Sequence, residues 1–200
     1  MKAKVNSTRW LALAGMLFTF GISARVQGSE NVSMVLLQNK KVLIETRNPL
    51  KQQVSIKITD NSTSETVYAS QTDDDAFTRK TYDLSNLPNG VYTVDVKMDN
   101  RIFEKEIQLS SAGEALLNEK IYYEPVFAFD RRSMEVTFLN PNKESVVVDF
   151  HKGNESFFTD EPGNHGAFSR KYDLSNLDRG DYVIGFSSGG KHYSKSFFVW

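Results

Sequence analysis

A six-residue stretch, Tyr-Asp-Leu-Ser-Asn-Leu, occurs twice in the chain and constrains its fold more than any other feature. It occupies residues 82–87 and again residues 172–177, an offset of 90. Any one position matches by chance roughly one time in twenty, so six consecutive identities are not accidental. Each copy continues with two residues, a glycine, one residue and a tyrosine, which gives two matching pairs: Gly90 with Tyr92, and Gly180 with Tyr182. The chain is therefore predicted to contain two copies of one folding unit.

The apolar residues around these motifs alternate with a period of two. In the first copy Tyr92, Val94, Val96 and Met98 face one way, and Asp99-Asn100 then provides a turn. Alternation of this kind is typical of a strand with one buried face. An Asn-Pro pair precedes the alternating segments in both copies, at residues 48–49 and 140–141. The best candidate for a helix is Gly113 to Lys120, at the junction of the copies, and its helical period is weak.

About seven short strands in each 85-residue copy predict two tandem immunoglobulin-like β-sandwich domains in an all-β chain. The Leu-x-x-Gly-x-Tyr pattern predicts a tyrosine corner, in which the hydroxyls of Tyr92 and Tyr182 hydrogen-bond back to the chain before the strand. Gly90 and Gly180 are expected to supply a permissive backbone at these corners. The motif is therefore interpreted as structural and not as a binding site.

The Asn-Pro pair, the alternating strands and the Asp-Leu-Ser-Asn-Leu-x-x-Gly-x-Tyr motif together resemble two related groups of proteins. One group comprises exported tandem immunoglobulin-like domains of unknown function from Gram-negative bacteria. The other is the C-terminal sorting domain of the type IX secretion system. The resemblance covers almost all of each copy and implies an exported protein. The sequence departs from the sorting pattern in two ways. Its last strand reads Ser196-Phe197-Phe198-Val199-Trp200 where basic residues are usual, and the only cargo expected ahead of the second copy is the first copy itself.

The first residues of the chain have the pattern of a secretory signal. Residues 1–10 contain three basic residues and no acid, and residues 11–22 are uncharged. Cleavage is expected after Gly28, with Ala24 as a rival position. A membrane anchor is the alternative, but twelve uncharged residues are fewer than the roughly 20 that a spanning helix needs. The predicted organisation is a signal peptide at 1–28, a first domain at 29–112 and a second domain at 113–200.

Charge and cysteine content narrow the classes of partner. Removing residues 1–28 takes away four of the 24 basic residues and none of the 25 acidic ones, which leaves a formal net charge of −5. A chain of this charge without clustered Lys and Arg is not expected to bind nucleic acid. Cysteine is absent, which fits a bacterial envelope protein stabilised by its core. No transmembrane segment is expected in the mature chain, which is predicted to lie in the periplasm, at the cell surface or outside the cell.

The sequence contains no recognisable catalytic or metal-binding constellation. Its three histidines are far apart, and no nucleophile or zinc motif is present, so the chain is predicted not to be an enzyme and to need no cofactor. Acidic loops at Asp73-Asp74-Asp75 and at Asp160-Glu161 are interpreted as solvated loop tips. Calcium binding at these loops is the alternative.

The second copy is richer than the first in aromatic residues outside the expected core positions. In the last strand, Tyr193, Phe197 and Val199 are expected to face inward. Phe198 and Trp200 alternate with them and are expected to face outward, as is His192. The residues considered as ligand-facing are Tyr122, Tyr123, His192, Phe198 and Trp200, with Phe157 or Phe158 as further candidates. Flat aromatic faces suit sugar stacking, whereas packing in the core or at the junction is the alternative.

The function predicted from these observations is a non-enzymatic interaction or structural module of the cell envelope, with a protein or a glycan as its partner. A carbohydrate-binding module is the second hypothesis, and a type IX sorting domain is the third. An exposed aromatic row would favour sugar, and an uncovered edge strand would favour a protein partner.

Overall fold

Antiparallel β-strands make up the fold that the computed structural model describes, which comprises residues 31–72 and 75–200. The all-β class predicted from the alternating pattern is confirmed. The proposed signal peptide, Asp73 and Asp74 lie outside the described residues. The strands are β1 Val32–Leu37, β2 Lys41–Arg47, β3 Val54–Asp60, β4 Thr66–Thr72, β5 Phe77–Asp83, β6 Gly90–Met98, β7 Arg101–Ser110, β8 Gly113–Tyr123, β9 Val126–Phe129, β10 Ser133–Leu139, β11 Val146–Lys152, β12 Glu155–Gly163, β13 Ala167–Asp173, β14 Gly180–Ser188 and β15 Lys191–Val199.

The same strand order occurs in the first half of the structure, β1–β8, and in the second half, β9–β15. The first half has one sheet of order β1-β2-β5 and one of order β4-β3-β6-β7-β8. The second half has sheets of order β9-β10-β13 and β12-β11-β14-β15. Each strand from β9 to β15 thus has a counterpart eight numbers earlier, from β1 to β7. β8 is additional and has no counterpart among the strands described for the second half.

The strands and turns form where the sequence alternates and where the turn residues allow it. In β6, Tyr92, Val94, Val96 and Met98 are all buried, as a strand with one inward face requires. The hairpin turns that follow β1, β6 and β14 use positive backbone φ angles, which Asn, Asp and Gly accept at low cost. The residues concerned include Asn39 at 60°, Asp99 at 56° and Gly190 at 73°.

Each half buries its own core, and each core combines side chains from both sheets of that half. The largest fully buried side chains of the first core are Ile44, Ile56, Ile58, Leu84, Tyr92, Met98, Ile107 and Leu109. Those of the second core that are buried to the same degree are Met134, Ile184 and Phe186. Burial of apolar area on this scale is the main favourable contribution to the folding of each half.

The segment considered as a helix candidate, Gly113 to Lys120, is a strand. It forms most of β8, which runs antiparallel to β7 from Ser110↔Gly113 to Arg101↔Tyr123. The predicted domain boundary at residue 112 would assign β8 to the second domain, but its backbone hydrogen bonds join it to β7 in the five-stranded sheet of the first half. Leu116 and Ile121 of β8 also pack against the first core.

Side chains from the start of β15 connect the second half to the first. The Lys191 ammonium lies 2.5 Å from Glu104 Oε2 and 3.4 Å from Asp95 Oδ1. It also lies 4.9 Å from the ring centre of Tyr122. Burial lowers the pKa of Lys191, but the two carboxylates outweigh this effect and the net pKa is raised. The lysine therefore stays charged and fixes the contact between the halves.

Within the described residues no helix is long and apolar enough to cross a lipid bilayer.

Candidate functional site

The repeated Asp-Leu-Ser-Asn-Leu segment is a loop held by its own backbone and by its aspartate. The Asp83 carboxylate accepts a hydrogen bond from the Ser85 backbone N–H at 3.0 Å, and Asp173 accepts one from Ser175 at 2.9 Å. Contacts with Ser85 and with Ser175 lower the pKa of both carboxyl groups. Leu84, the first leucine of the motif in the first half, is completely buried. These contacts account for the motif as a structural element.

The tyrosines that follow the motif close one end of each half. The Tyr92 hydroxyl donates to the Pro88 carbonyl oxygen at 2.9 Å, and the Tyr182 hydroxyl donates to the backbone carbonyl oxygen of Asp178 at 2.8 Å. Both are the hydrogen bond of a tyrosine corner. The glycines differ between the halves, because Gly180 has a φ of +154° whereas Gly90 lies outside the positive-φ region. The permissive backbone expected at both corners is used only at Gly180.

Phe198 and Trp200, considered as ligand-facing, lie at the end of β15 and are exposed. Trp200 is 90% exposed and Phe198 is 38% exposed. Their rings pack edge to face with centroids 4.9 Å apart, and the Arg179 guanidinium lies 5.9 Å from the centre of the Phe198 ring. The pair therefore presents a small aromatic surface beside a cation. His192 is also exposed, but six or more residues of extended strand separate it from this pair by about 20 Å.

Tyr122 and Tyr123 do not lie with the other candidates. Both belong to β8; Tyr122 is only 8% exposed, and Tyr123 packs partly buried against the second core. Tyr122 is in contact with Lys191 at the junction of the halves. Its proposed ligand-facing role is contradicted by this burial, because the junction covers a side chain that the strand pattern alone leaves exposed.

Two consecutive phenylalanines on β12 point toward the core side of the sheet. Phe158 pairs with Phe150, but the next pair is Ser156 with His151, so Phe157 is the extra residue of a β-bulge. A bulge re-aims a side chain that would otherwise face the opposite way. Phe157 and Phe158 consequently both approach Phe150, with ring centroids 6.2 and 5.8 Å away. Both remain nearly half exposed, at 45% and 48%.

These rings form one wall of an open groove between the edge strands β12 and β13. The groove has a volume of about 410 Å³, and Tyr172, Leu174 and Leu177 form its other apolar wall. Lys171 and Asp173 also line it, so it offers charges of both signs beside an apolar floor. We define the aromatic groove by Phe157, Phe158, Tyr172, Leu174 and Leu177. A concave apolar surface with a few polar groups is the common form of a binding site.

The corresponding place in the first half is closed by a hydrogen bond. Tyr68 on β4 occupies the position of Phe158, since it pairs with Ile58 as Phe158 pairs with Phe150. Its hydroxyl donates to the Asp83 carbonyl oxygen at 2.7 Å and ties β4 to the end of β5. Phe158 has no hydroxyl and cannot make this bond. The two halves therefore differ at this place, because the Tyr68 hydroxyl bridges β4 and the end of β5 in the first half, whereas the aromatic groove lies there in the second.

Asp160 and Glu161, predicted to be a solvated loop tip, lie within strand β12, and Asp160 is engaged in contacts with the protein. Asp160 accepts hydrogen bonds from Arg170 Nη1 at 2.6 Å and from the Tyr172 hydroxyl at 2.8 Å. Burial and this carboxylate raise the pKa of Tyr172, which therefore remains a donor. Asp160 is consequently bound to Tyr172, which lines the aromatic groove. Among the described residues, no three His, Cys, Asp or Glu side chains are grouped as a metal ion would require.

A second concavity, of about 580 Å³, lies at the junction between β8 and the Asn-Pro turn of the second half. Its charged side chains are already paired: Lys105 with Glu119 at 2.7 Å, and Lys120 with Glu144 at 3.1 Å. Because these pairs satisfy the charges that a ligand would meet, the cleft is better explained as part of the contact between the halves. The aromatic groove is the stronger candidate for a functional site.

Comparison with protein families shows where the chain resembles known proteins. Residues 38–109 match the family described as the Secretion system C-terminal sorting domain. The resemblance to type IX sorting domains drawn from the repeated motif is therefore confirmed for this segment, which spans β2 to β7. A domain of this family implies an exported protein. No curated protein matches the chain.

Solved structures show only distant similarity. A red sea bream transglutaminase has 10% identity and a TM-score of 0.31 over 85% of this chain and 31% of its own length. A structure on neurohormone perception by the receptor tyrosine kinase Torso has 7% identity and a TM-score of 0.26, covering 86% and 74%. The BSP domain of a biofilm-associated protein has 13% identity and a TM-score of 0.26, covering 84% and 29%. The chain thus spans about a third of the length of the first and the last, and these scores support no functional argument.

Proposed function

We propose that this chain is an exported, non-enzymatic interaction module of the bacterial envelope, built from two immunoglobulin-like domains behind a signal peptide. Its active surface is the aromatic groove, which takes an apolar segment of a partner protein. The single observation that carries the proposal is that the groove lies open in the second half at the place that the Tyr68–Asp83 hydrogen bond bridges in the first. The first domain supplies a closed, structural framework.

The energetics of the groove support a modest, specific affinity. Covering the exposed half of Phe157 and of Phe158 would contribute about 1 kcal/mol each, taken as half of what full burial of such a side chain is worth. The rings are held by the bulge and by their contacts with Phe150, so little side-chain freedom is lost on binding. Lys171 and Asp173 would orient the bound segment through charge. Neither the aromatic rings nor these two charged residues need to react with the ligand, which accords with a binding role.

A photo-crosslinking experiment tests this function in intact cells. A photoreactive phenylalanine analogue is placed at position 158, and the control carries it at position 77, where an exposed phenylalanine of β5 lies in the first half and the Tyr68 hydroxyl is left in place. Position 158 is expected to give discrete high-mass adducts that Leu177→Asp in the same chain abolishes, because an apolar segment that covers the new carboxylate must remove its hydration water without supplying a partner. Adducts of equal intensity at positions 77 and 158, or none at 158, would contradict the proposal.

The carbohydrate-binding alternative is favoured by a different observation, the exposed pair of Phe198 and Trp200 beside Arg179. A flat indole with a neighbouring cation suits the apolar face and hydroxyl edge of a sugar. A glycan array probed with the purified chain and with Trp200→Ala separates the two functions. Signals that disappear in the variant would assign sugar binding, while the crosslinks at position 158 would stay unchanged.

A sorting role is supported by the family match over residues 38–109. On this hypothesis the immunoglobulin-like domains direct an attached protein across the outer membrane. Fusing residues 29–200 behind an exported reporter tests it: release of the reporter in a strain with a type IX system, and not in one without it, is the expected result.

A further inference from the structure

The outer edge of β7 is covered, whereas the outer edge of its counterpart β15 is open. β7 pairs with β6 on one side and with β8 on the other. β15 pairs with β14, and no other strand of residues 31–72 and 75–200 lies beside it. An open edge presents a row of unpaired N–H and C=O groups that another strand can extend.

The side chains of β15 also lack the cover that β8 gives to β7. The inward side chains of β7 are 4% exposed or less: Phe103, Ile107 and Leu109. Their counterparts on β15 are only partly buried: Tyr193, Phe197 and Val199. In the first half, Leu116 and Ile121 of β8 extend over this part of the core. The second core is therefore incomplete where an additional strand would pack.

A charge difference defines what that additional strand must carry. Lys105 on β7 points toward the core side and is paired directly with Glu119 of β8, with Nζ and Oε2 2.7 Å apart. Lys195 occupies the same position on β15, since it pairs with Ile184 as Lys105 pairs with Val94. Lys195 is exposed and has no ion pair within the described part of the chain. A strand that covers β15 must therefore place an acidic residue opposite Lys195.

We propose that the outer edge of β15 binds an extended segment of a partner protein, which adds to the sheet as a fifth, antiparallel strand. The segment carries an acidic residue opposite Lys195 and apolar residues on either side of it. The spacing is that of Leu116, Glu119 and Ile121 in β8, namely apolar, two residues, acidic, one residue, apolar. Main-chain hydrogen bonds supply affinity in this mode of recognition, and the alternate side chains supply specificity.

A second copy of the chain is a poorer occupant of this edge. Antiparallel pairing of two β15 strands centred on Lys195 places the two lysines directly opposite each other. Like charges in directly opposed positions destabilise a strand pair. An inward-pointing lysine on an edge strand is also one way in which proteins prevent self-association. The same residue thus disfavours self-pairing and selects an acidic partner strand.

The β15 edge is a separate surface from the aromatic groove. The sheet order is β12-β11-β14-β15, so β12 with the groove and β15 lie at opposite edges. The inference consequently stands or falls independently of the crosslinks at position 158.

A synthetic peptide with the sequence of residues 113–123 serves as the probe, because β8 already shows this sequence paired with an equivalent edge. The peptide is labelled with a fluorophore and titrated into the purified chain, whose own β7 edge is occupied by β8. Saturable binding is expected, measured by fluorescence anisotropy. Residue-resolved NMR shifts are expected on β15 and not on β7.

A charge exchange tests the assigned contact. Lys195→Glu in the chain, or Glu119→Lys in the peptide, is expected to weaken binding by about tenfold, and combining the two is expected to restore most of the loss. Lys80→Glu, on β5 in the other half, is the matched control and is expected to leave binding unchanged. Circular dichroism of each variant establishes that folding is retained.

Three outcomes would overturn the inference. The first is absence of saturable peptide binding to the folded chain. The second is binding that Lys195→Glu leaves unchanged. The third is a concentration-dependent dimer, detected by light scattering and dissociated by Lys195→Glu, which would assign the edge to a second copy instead.

Discussion

Replacing Phe186 with alanine is expected to destabilise the second half by about 3–5 kcal/mol and to leave the first half nearly unchanged. Phe186 is 1% exposed, and its ring lies 4.7 Å from Phe138 and 6.0 Å from Phe168, centroid to centroid. Removing it leaves a cavity at the centre of the second core. Because each half buries its own core, the damage is expected to remain local.

The measurement is urea unfolding followed by NMR signals that are assigned to each half. Signals from β11 and β14 are expected to disappear at a much lower urea concentration than in the unchanged protein. The free energy of unfolding reported by signals from β3 and β6 is expected to change by about 0.5 kcal/mol or less. Phe103→Ala in the first core is the matched control and is expected to reverse the pattern. Equal destabilisation of both halves by Phe186→Ala would show that the two cores unfold as one unit.

Asn140→Ala is expected to cost about 2–4 kcal/mol, although it removes only a small polar group. Asn140 is 2% exposed, its Nδ2 donates to the Glu144 carbonyl oxygen at 2.7 Å, and its Oδ1 accepts from the Glu144 N–H at 3.0 Å. Alanine leaves both backbone groups of Glu144 without these partners. Asn48 makes the equivalent pair of bonds to Gln52, so Asn48→Ala is expected to have a similar effect on the first half.

Thermal and urea unfolding of the two alanine variants checks this prediction. Asn140→Asp is an informative second variant, and a loss at least as large is expected, because a carboxylate oxygen would then face the Glu144 carbonyl oxygen at a buried position. A loss of about 0.5 kcal/mol or less in Asn140→Ala would mean that water replaces the side chain in the turn. The stability of the fold would then not explain why the Asn-Pro motif occurs in both halves.

Local features of the fold were accessible from the sequence because their contacts are close along the chain. The Tyr92 and Tyr182 hydroxyls each bond a carbonyl four residues earlier, and the alternation of β6 reflects one buried face. Hairpin turns at Asn39-Lys40 and Asp99-Asn100 follow from residues that accept positive φ. Each of these features is determined by neighbours that a sequence displays directly.

The remaining features depend on contacts between distant segments. β8 lacks a clean period of two, because its register against β7 shifts between Lys105 and Ile107, and its extended form is explained by that pairing. Tyr122 is covered by Lys191, almost seventy residues later in the chain. The bulge that aims both Phe157 and Phe158 inward is visible only in the pairing of β11 with β12. No pattern within a single segment contains this information.

Amide hydrogen exchange along β7 and β15 tests most directly the central claim about the two sheets, that β8 covers the outer edge of β7 whereas the outer edge of β15 is open. Every second N–H of an edge strand points away from its single neighbour, so alternate amides of β15 are expected to exchange rapidly, whereas those of β7 are protected throughout. Residue-resolved exchange measured by NMR distinguishes the two patterns. Equal and continuous protection of β15 and β7 in the isolated chain would contradict the claim, because it would mean that the edge of β15 is already covered.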